Sequence, residues 1–338
     1  MATRTRTRLV AIVILVAMVA LIGVTVSRAT PPPPSLPSVS ADRLLASSLR
    51  ALTGPFSIAG DVRTDADLGL PELPSGLAGP SSLASSLLGT QRFKVWRSPQ
   101  GVRVAHLLDL AEQTFVADGT DAWWWDSSTM RAVHLRAPHR PRATGAPEVV
   151  PAVGNPLALA SRALRDLSPY ATIAVDGTAR VAGRPVYRLV LAPRSSATLI
   201  GSIAVSIDAT TRLPLGLEVT PKGGSSPAMD AAFTSVSFGS IDPALFTFTP
   251  PDGATVVTPA LRRAGDPRTS PTHRVFGSAF DTVVATELQG AEPATLRALL
   301  PYRGPLASAI LVRRAGSTWL LAGFVGLSTL REDASHLT

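Results

Sequence analysis

The side chains best suited to proton transfer or metal ligation are five histidines: His106, His134, His139, His273 and His336. No two of them stand four apart around a glutamate, so the helical spacing that zinc proteases need is absent. The chain has no cysteine, which rules out thiolate ligands, thiol nucleophiles, disulfides and a lipidated cysteine anchor. There is no G-x-S-x-G elbow, no serine three residues before a lysine, and no phosphate-cradling glycine loop. His134 and His139 lie beside arginine and proline and read as solvated. Asp65 and Asp67 could meet a cation or be two solvated carboxylates on a turn. Arg184, Arg188 and Arg194 are candidates for an anionic headgroup or a partner, or else charges on an exposed face. No catalytic set, cofactor or metal is expected.

The remaining conspicuous residues are apolar. Leu68, Leu70, Leu73, Leu77, Leu83, Leu87 and Leu88 crowd the stretch Thr64–Gly89, which is too long for an ordinary hairpin loop. Leucines on a connection rich in glycine, proline and serine suit a lid over a hollow; they would equally finish a core. Trp123 and Trp125 share one face of a strand and Trp124 takes the other. The pair could line a lipid pocket together with Phe93, or pack between the sheet and a helix.

The elements that must hold these residues are mostly strands. Ile203, Val205 and Ile207 alternate with Ser202, Ser206 and Asp208, and Leu213, Leu215, Leu217 and Val219 alternate with Pro214, Gly216 and Glu218. Period-two alternation buries one face of a strand and wets the other, which marks an antiparallel sheet. Strands are predicted near Phe56–Arg63, Gln91–Arg97, Val102–Leu108, Gln113–Asp118, Ala122–Asp126 and Ala132–Leu135. More follow near Thr172–Val181, Val186–Ala192, Ser202–Ile207, Pro214–Val219 and Ala231–Phe238. Leu44, Leu45, Leu49 and Leu52 share one side of a helix over Ala41–Leu52, with Ser40 placed to cap it. A second helix is predicted from Asn155-Pro156 through Leu157, Ala160, Leu164 and Leu167 to Ser168-Pro169.

The segments VAGRPVYRLVLAPR (Val181–Arg194), SIAVSIDATTRLPLGLEV (Ser202–Val219) and FTSVSFGSIDPALFTFTPPDGATV (Phe233–Val256) resemble the LolA/RseB-type family. The likeness is to its exported actinobacterial branch, labelled lipoprotein-carrier-like or sigma-factor-regulator-like. It extends to GPFSIAGDVRTDADLGLPELP (Gly54–Pro74) and to the segments holding Phe93 and the three tryptophans. The resemblance implies an α+β fold: a strongly curved antiparallel half-barrel of roughly eleven strands, helices plugging its concave side, and a small C-terminal lobe. It also implies a non-enzymatic carrier or chaperone for lipid or lipoprotein acyl chains. The alternative is an RseB-like regulator that senses envelope stress through a membrane-bound, anti-sigma-type partner.

Charge and patterning set the boundaries. The formal charge is +8; Arg4, Arg6, Arg8 and Arg28 carry four of those charges, leaving +4 scattered over the rest. That surplus has no aromatic interleaving, so nucleic acid is not an expected partner. Arginines ahead of the uncharged run Leu9–Val26 read as an export signal, either cleaved near Ala29 or kept as a transmembrane anchor. The predicted organisation is signal peptide or anchor over 1–30, proline-rich linker over 31–40, half-barrel over 41–258, basic linker over 259–274 and a small α+β lobe over 275–338. In the last, strands are expected at Thr282–Leu288, Ala309–Arg313 and Thr318–Val325, and helices at Glu292–Leu300 and Leu327–Leu337. The protein is expected on the extracytoplasmic side of the envelope.

Overall fold

The computed structural model describes residues 33–69, 89–118, 121–136, 169–258, 272–288, 300–314 and 316–337. The large sheet is built from two meanders. The first comprises β1 (Ile58–Ala66), β2 (Gly89–Ser98), β3 (Gly101–Leu107), β4 (Glu112–Ala117), β5 (Asp121–Asp126) and β6 (Arg131–Arg136). The second comprises β7 (Ala171–Val181), β8 (Arg184–Pro193), β9 (Ile200–Asp208), β10 (Pro214–Pro221) and β11 (Met229–Ser237). Antiparallel pairing of β1 with β11 fuses them, so β6 ends one meander and β7 ends the other. All eleven strands expected from alternation are present. A twelfth, β12 (Thr255–Val257), pairs in parallel with β6; its three residues are too few to show any period.

The sheet is open and bent. Neighbouring strands lie about 4.8 Å apart, which would put β7 and β11 roughly 19 Å apart in a flat sheet. Instead their Cα atoms come within 8 Å. Register shifts at Asp61/Val62, Val175/Thr178 and Pro214/Gly216 supply the bend, because an extra residue on one strand kinks and twists it.

α1 (Ala41–Thr53) packs on β7 and β8. Its Leu44 is fully buried against Tyr187, Leu189 and Ile207, while Ala51 and Leu52 reach a second cluster around Val186, Leu213, Leu215 and Phe233. Ser40 holds the N-cap position, but its side chain makes no capping bond. The preceding proline-containing stretch is docked: Thr178 Oγ1 donates to the Pro34 carbonyl at 2.7 Å and Tyr187 Oη to the Pro37 carbonyl at 2.9 Å. Among the described residues α1 is the helix on this sheet; the helices expected near residues 156–167 and 292–300 lie outside them. So does the Leu9–Val26 run. No described helix is long and apolar enough to cross a membrane.

The C-terminal lobe is a five-stranded antiparallel sheet of β13 (His273–Phe276), β14 (Val283–Leu288), β15 (Tyr302–Arg303), β16 (Ser308–Arg314) and β17 (Ser317–Gly323), in the order β13-β14-β17-β16-β15. α2 (Leu327–Ser335) buries Leu327, Leu330 and Ala334 against Val283, Ile310, Trp319 and Leu321. This lobe is joined to the large sheet. Phe280 and Leu306 pack with Ile200, Leu217, Val219 and Ala231, and Leu199 N–H donates to the Phe324 carbonyl at 2.7 Å.

Candidate ligand groove

A groove of about 490 Å³ opens where the end of α1 meets the turn between β9 and β10. Its lining is largely apolar: Ala51, Pro55, Phe56, Leu213 and Phe238, with Ser57, Pro99, Thr211 and Gly239. The walls follow from local chemistry. Gly54 N–H closes the last turn of α1 on the Arg50 carbonyl at 3.0 Å. Pro55 cannot extend the helix, so the chain turns out and presents Phe56.

The opposite wall is organised by Asp208, whose side chain is 1% exposed. Its Oδ1 accepts from Thr210 N–H at 3.0 Å, Thr211 N–H at 2.7 Å and Thr211 Oγ1 at 2.9 Å, which fixes the turn carrying Thr211 and Leu213. Arg184 closes on the same carboxylate, with Nε at 2.6 Å and Nη2 at 3.0 Å. Burial alone would push the Asp208 carboxyl up; the bonds from Arg184, Thr211 and Thr210 outweigh it and hold the group below the usual carboxylate range. Arg184 then lies over the Phe238 ring, 4.8 Å from its centroid, steadying the third apolar wall.

Two further guanidinium groups stand outside the lining, each over an aromatic ring: Arg97 over Phe56, a groove residue, and Arg212 over Tyr187. Arg97 stacks on Phe56 at 3.7 Å and donates from Nη1 to the Phe56 carbonyl at 3.3 Å. Arg212, between Thr211 and Leu213, has a buried Nη1 with no hydrogen-bond partner.

The residues singled out from sequence are dispersed. Phe93 is buried and stacks on His106 at 4.4 Å, inside the core. Leu68 packs beside Phe280 and Leu306 at the junction of the lobes. Leu70, Leu73, Leu77, Leu83, Leu87 and Leu88 lie outside the described residues, as does His139. Trp123 and Trp125 stand together against Phe248, at 5.5 and 5.9 Å, away from the groove. His134 is a correction to the sequence expectation. It is 9% exposed in β6, stacked on Trp123 at 3.9 Å and held at 2.6 Å from Asp121 Oδ1, because the strand pairing sets it opposite that tryptophan.

Arg188 meets Glu218 at 2.5 Å and Asp176 at 3.6 Å. Arg194 borders a smaller cavity of about 210 Å³ with Tyr170, Phe280 and Asp281, between the lobes. Asp67 accepts from Gly69 N–H at 3.1 Å, and Asp65 from Thr90 Oγ1 at 3.1 Å. Among the described residues no group of three histidine or acidic side chains is placed to hold a metal. Sequence reasoning did not find Thr211, Leu213 or Phe238 as groove residues. The groove draws on four separate stretches of chain, so no local spacing marks it.

The fold is thus an open, bent antiparallel sheet with a docked second lobe and an apolar groove at one end of its helix. No family model matches the chain, and no curated protein matches it. Solved structures similar to it include the MucA/MucB complex of Pseudomonas aeruginosa, at 18% identity over 86% of this chain and 96% of that one, with a TM-score of 0.47. Also similar are a LolA superfamily protein from Nitrosomonas europaea (12% identity, 62% and 99% covered, TM-score 0.23) and a putative outer membrane lipoprotein-sorting protein domain from Vibrio parahaemolyticus (11% identity, 61% and 97%, TM-score 0.24).

Proposed function

We propose that this is a non-enzymatic protein of the extracytoplasmic envelope that reversibly binds the acyl chain of a lipid or lipoprotein, as carrier or chaperone. The observation that carries the reading is the groove: its volume falls in the range of small-molecule sites, and aromatic and aliphatic side chains form most of its wall. Burial of an acyl chain of about twelve carbons, at ~0.8 kcal/mol per methylene, gains roughly 10 kcal/mol before the costs of association. Neither bond making nor a cofactor is needed. The family resemblance of the sequence agrees with this use.

The test is photo-crosslinking of the full chain with a diazirine-bearing C12 fatty acid, mapped by peptide mass spectrometry. Adducts should fall on residues 51–57, 211–213 and 238–239. Adducts confined to the Leu9–Val26 run, or none, overturn the reading.

A second reading is capture of a membrane-bound regulatory protein. It is favoured by Val275 and Val284, which face each other across β13 and β14 and stay 42% and 41% exposed. The Pseudomonas structure is that of a MucA/MucB complex, so this second use has a counterpart among similar folds. Pull-down from membranes with Val275→Asp as control separates the two: a regulator retains a defined protein partner after lipid is stripped.

A further inference from the structure

The smaller cavity, of about 210 Å³, lies where the two lobes meet and shares no residue with the groove. Tyr170, Arg194 and Ser195 line it from the large sheet, and Ser278, Phe280 and Asp281 from the turn between β13 and β14. Sites for drug-sized ligands run to roughly 300–1,000 Å³, so this one suits a smaller molecule.

Both walls are fixed locally. Arg194 N–H donates to the Tyr170 carbonyl at 2.8 Å, and Lys222 Nζ donates to the Ser195 carbonyl at 3.1 Å. On the facing turn Gly277 takes a φ of 67°, and a methyl group there would stand 2.2 Å from the Asp281 carbonyl oxygen. Glycine is what lets the chain fold so tightly. Asp281 N–H closes the turn on the Ser278 carbonyl at 3.0 Å, and Phe280 is buried among Ile200, Leu217 and Ala231. The Asp281 side chain is not tied down in this way. Its Oδ1 is buried with no hydrogen-bond partner, and among the described residues no cationic nitrogen stands within 4.0 Å of its carboxylate. An orphaned buried acceptor is uncommon in a folded protein and calls for a bound donor. Water supplies the hydrogen bond but not the positive charge that would strengthen it.

We infer that the cavity between the lobes takes a small zwitterion, its ammonium group on Asp281 and its anionic group toward Arg194. Charge decides the class. Arg194 in the same lining opposes a simple amine, and Asp281 opposes a simple carboxylate. A molecule that carries both groups meets each with its opposite. The Tyr170 and Phe280 rings and the Ser195 and Ser278 hydroxyls offer an ammonium group further contacts. Free α-amino acids carry this pair of charges, and so does the phosphoethanolamine head of a lipid. Because the walls belong to different lobes, a ligand that spans them holds the C-terminal lobe against the sheet and stabilises the docked state.

The experiment is thermal unfolding of the full chain with the standard α-amino acids, added one at a time, and with glycerophosphoethanolamine. At least one should raise the midpoint in a saturable way, and the class that does so identifies the source. Matched probes then read the charges. The binder's analogue without its amine, and the analogue without its anionic group, should each bind about tenfold more weakly, the worth of one charge-assisted contact. Asp281→Asn should bind the zwitterion about tenfold more weakly and erase its advantage over the analogue without the amine. A merely structural role for Asp281 would leave that advantage in place. Should the variant not fold, the wild-type series of analogues still decides. No response to any compound, or equal binding by the zwitterion and both analogues, overturns the inference, as does a folded Asp281→Asn protein that keeps the full preference. Each of these failures leaves the acyl groove standing, since the two sites share no residue.

Discussion

Replacing Asp208 with asparagine takes a charge out of the turn that shapes one wall of the groove. Removing one partner of a buried ion pair costs about 3–5 kcal/mol, because the other charge is stranded. Here the stranded partner is Arg184, whose side chain is 31% exposed, so solvent screens part of the loss. The expected destabilisation of Asp208→Asn is ~2–3 kcal/mol. The new amide carbonyl still accepts from Thr210 and Thr211, while its NH2 is set against the N–H groups of Arg184. Asp208→Ala also abandons those turn bonds, each worth ~0.5–1.5 kcal/mol, and should lose about 4 kcal/mol in all.

Urea denaturation of the full chain at pH 7 measures both. The carboxyl is held below its ordinary value in the folded protein, so its contribution is present above the unfolded value of about 4 and is lost as pH falls through the folded one. The wild-type advantage over Asp208→Asn should therefore shrink progressively below pH ~4. If asparagine lies within about 0.5 kcal/mol of the wild type at pH 7, the pair is not what fixes this turn.

Three other expectations follow from packing and titration. Burial lowers the pKa of His106, so the folded state resists its protonation and stability should fall as pH drops below ~6.5; His106→Gln should flatten that limb of a urea-midpoint profile between pH 8 and 5. Leu44→Ala should cost about 2–5 kcal/mol, because Leu44 is fully buried between α1 and the sheet, and a loss under 1 kcal/mol would mean that the helix is not seated there. A methyl group on Gly60 would stand 2.1 Å from the Ser235 carbonyl and 2.8 Å from the Phe233 ring. Gly60→Ala should therefore destabilise by ~1–3 kcal/mol, and a neutral thermal shift would show that β1 and β11 are less closely paired.

The strands were legible because alternation is written into consecutive residues: Ile203, Val205 and Ile207 point one way whatever their neighbours do. β12 was not, as three residues beside β6 carry no period. The groove was hidden for a different reason. Phe56, Thr211, Leu213 and Phe238 meet only after β1, β10 and β11 have paired and the sheet has bent, and no local pattern encodes that meeting. The tryptophans illustrate the converse. Their spacing correctly put Trp123 and Trp125 on one face, yet it could not say that Phe248 would cover them. Likewise Arg184 and Arg188 look like free surface charge until cross-strand register brings Asp208 and Glu218 beside them.

Equilibrium dialysis of radiolabelled laurate against the full chain and its Phe238→Asp variant tests the acyl-binding claim most directly, since both carry the same N-terminal apolar run. One saturable site per chain in the wild type, lost on placing a carboxylate in the groove wall, is the predicted result. Equal uptake by the two proteins, or no saturable uptake by either, would contradict it.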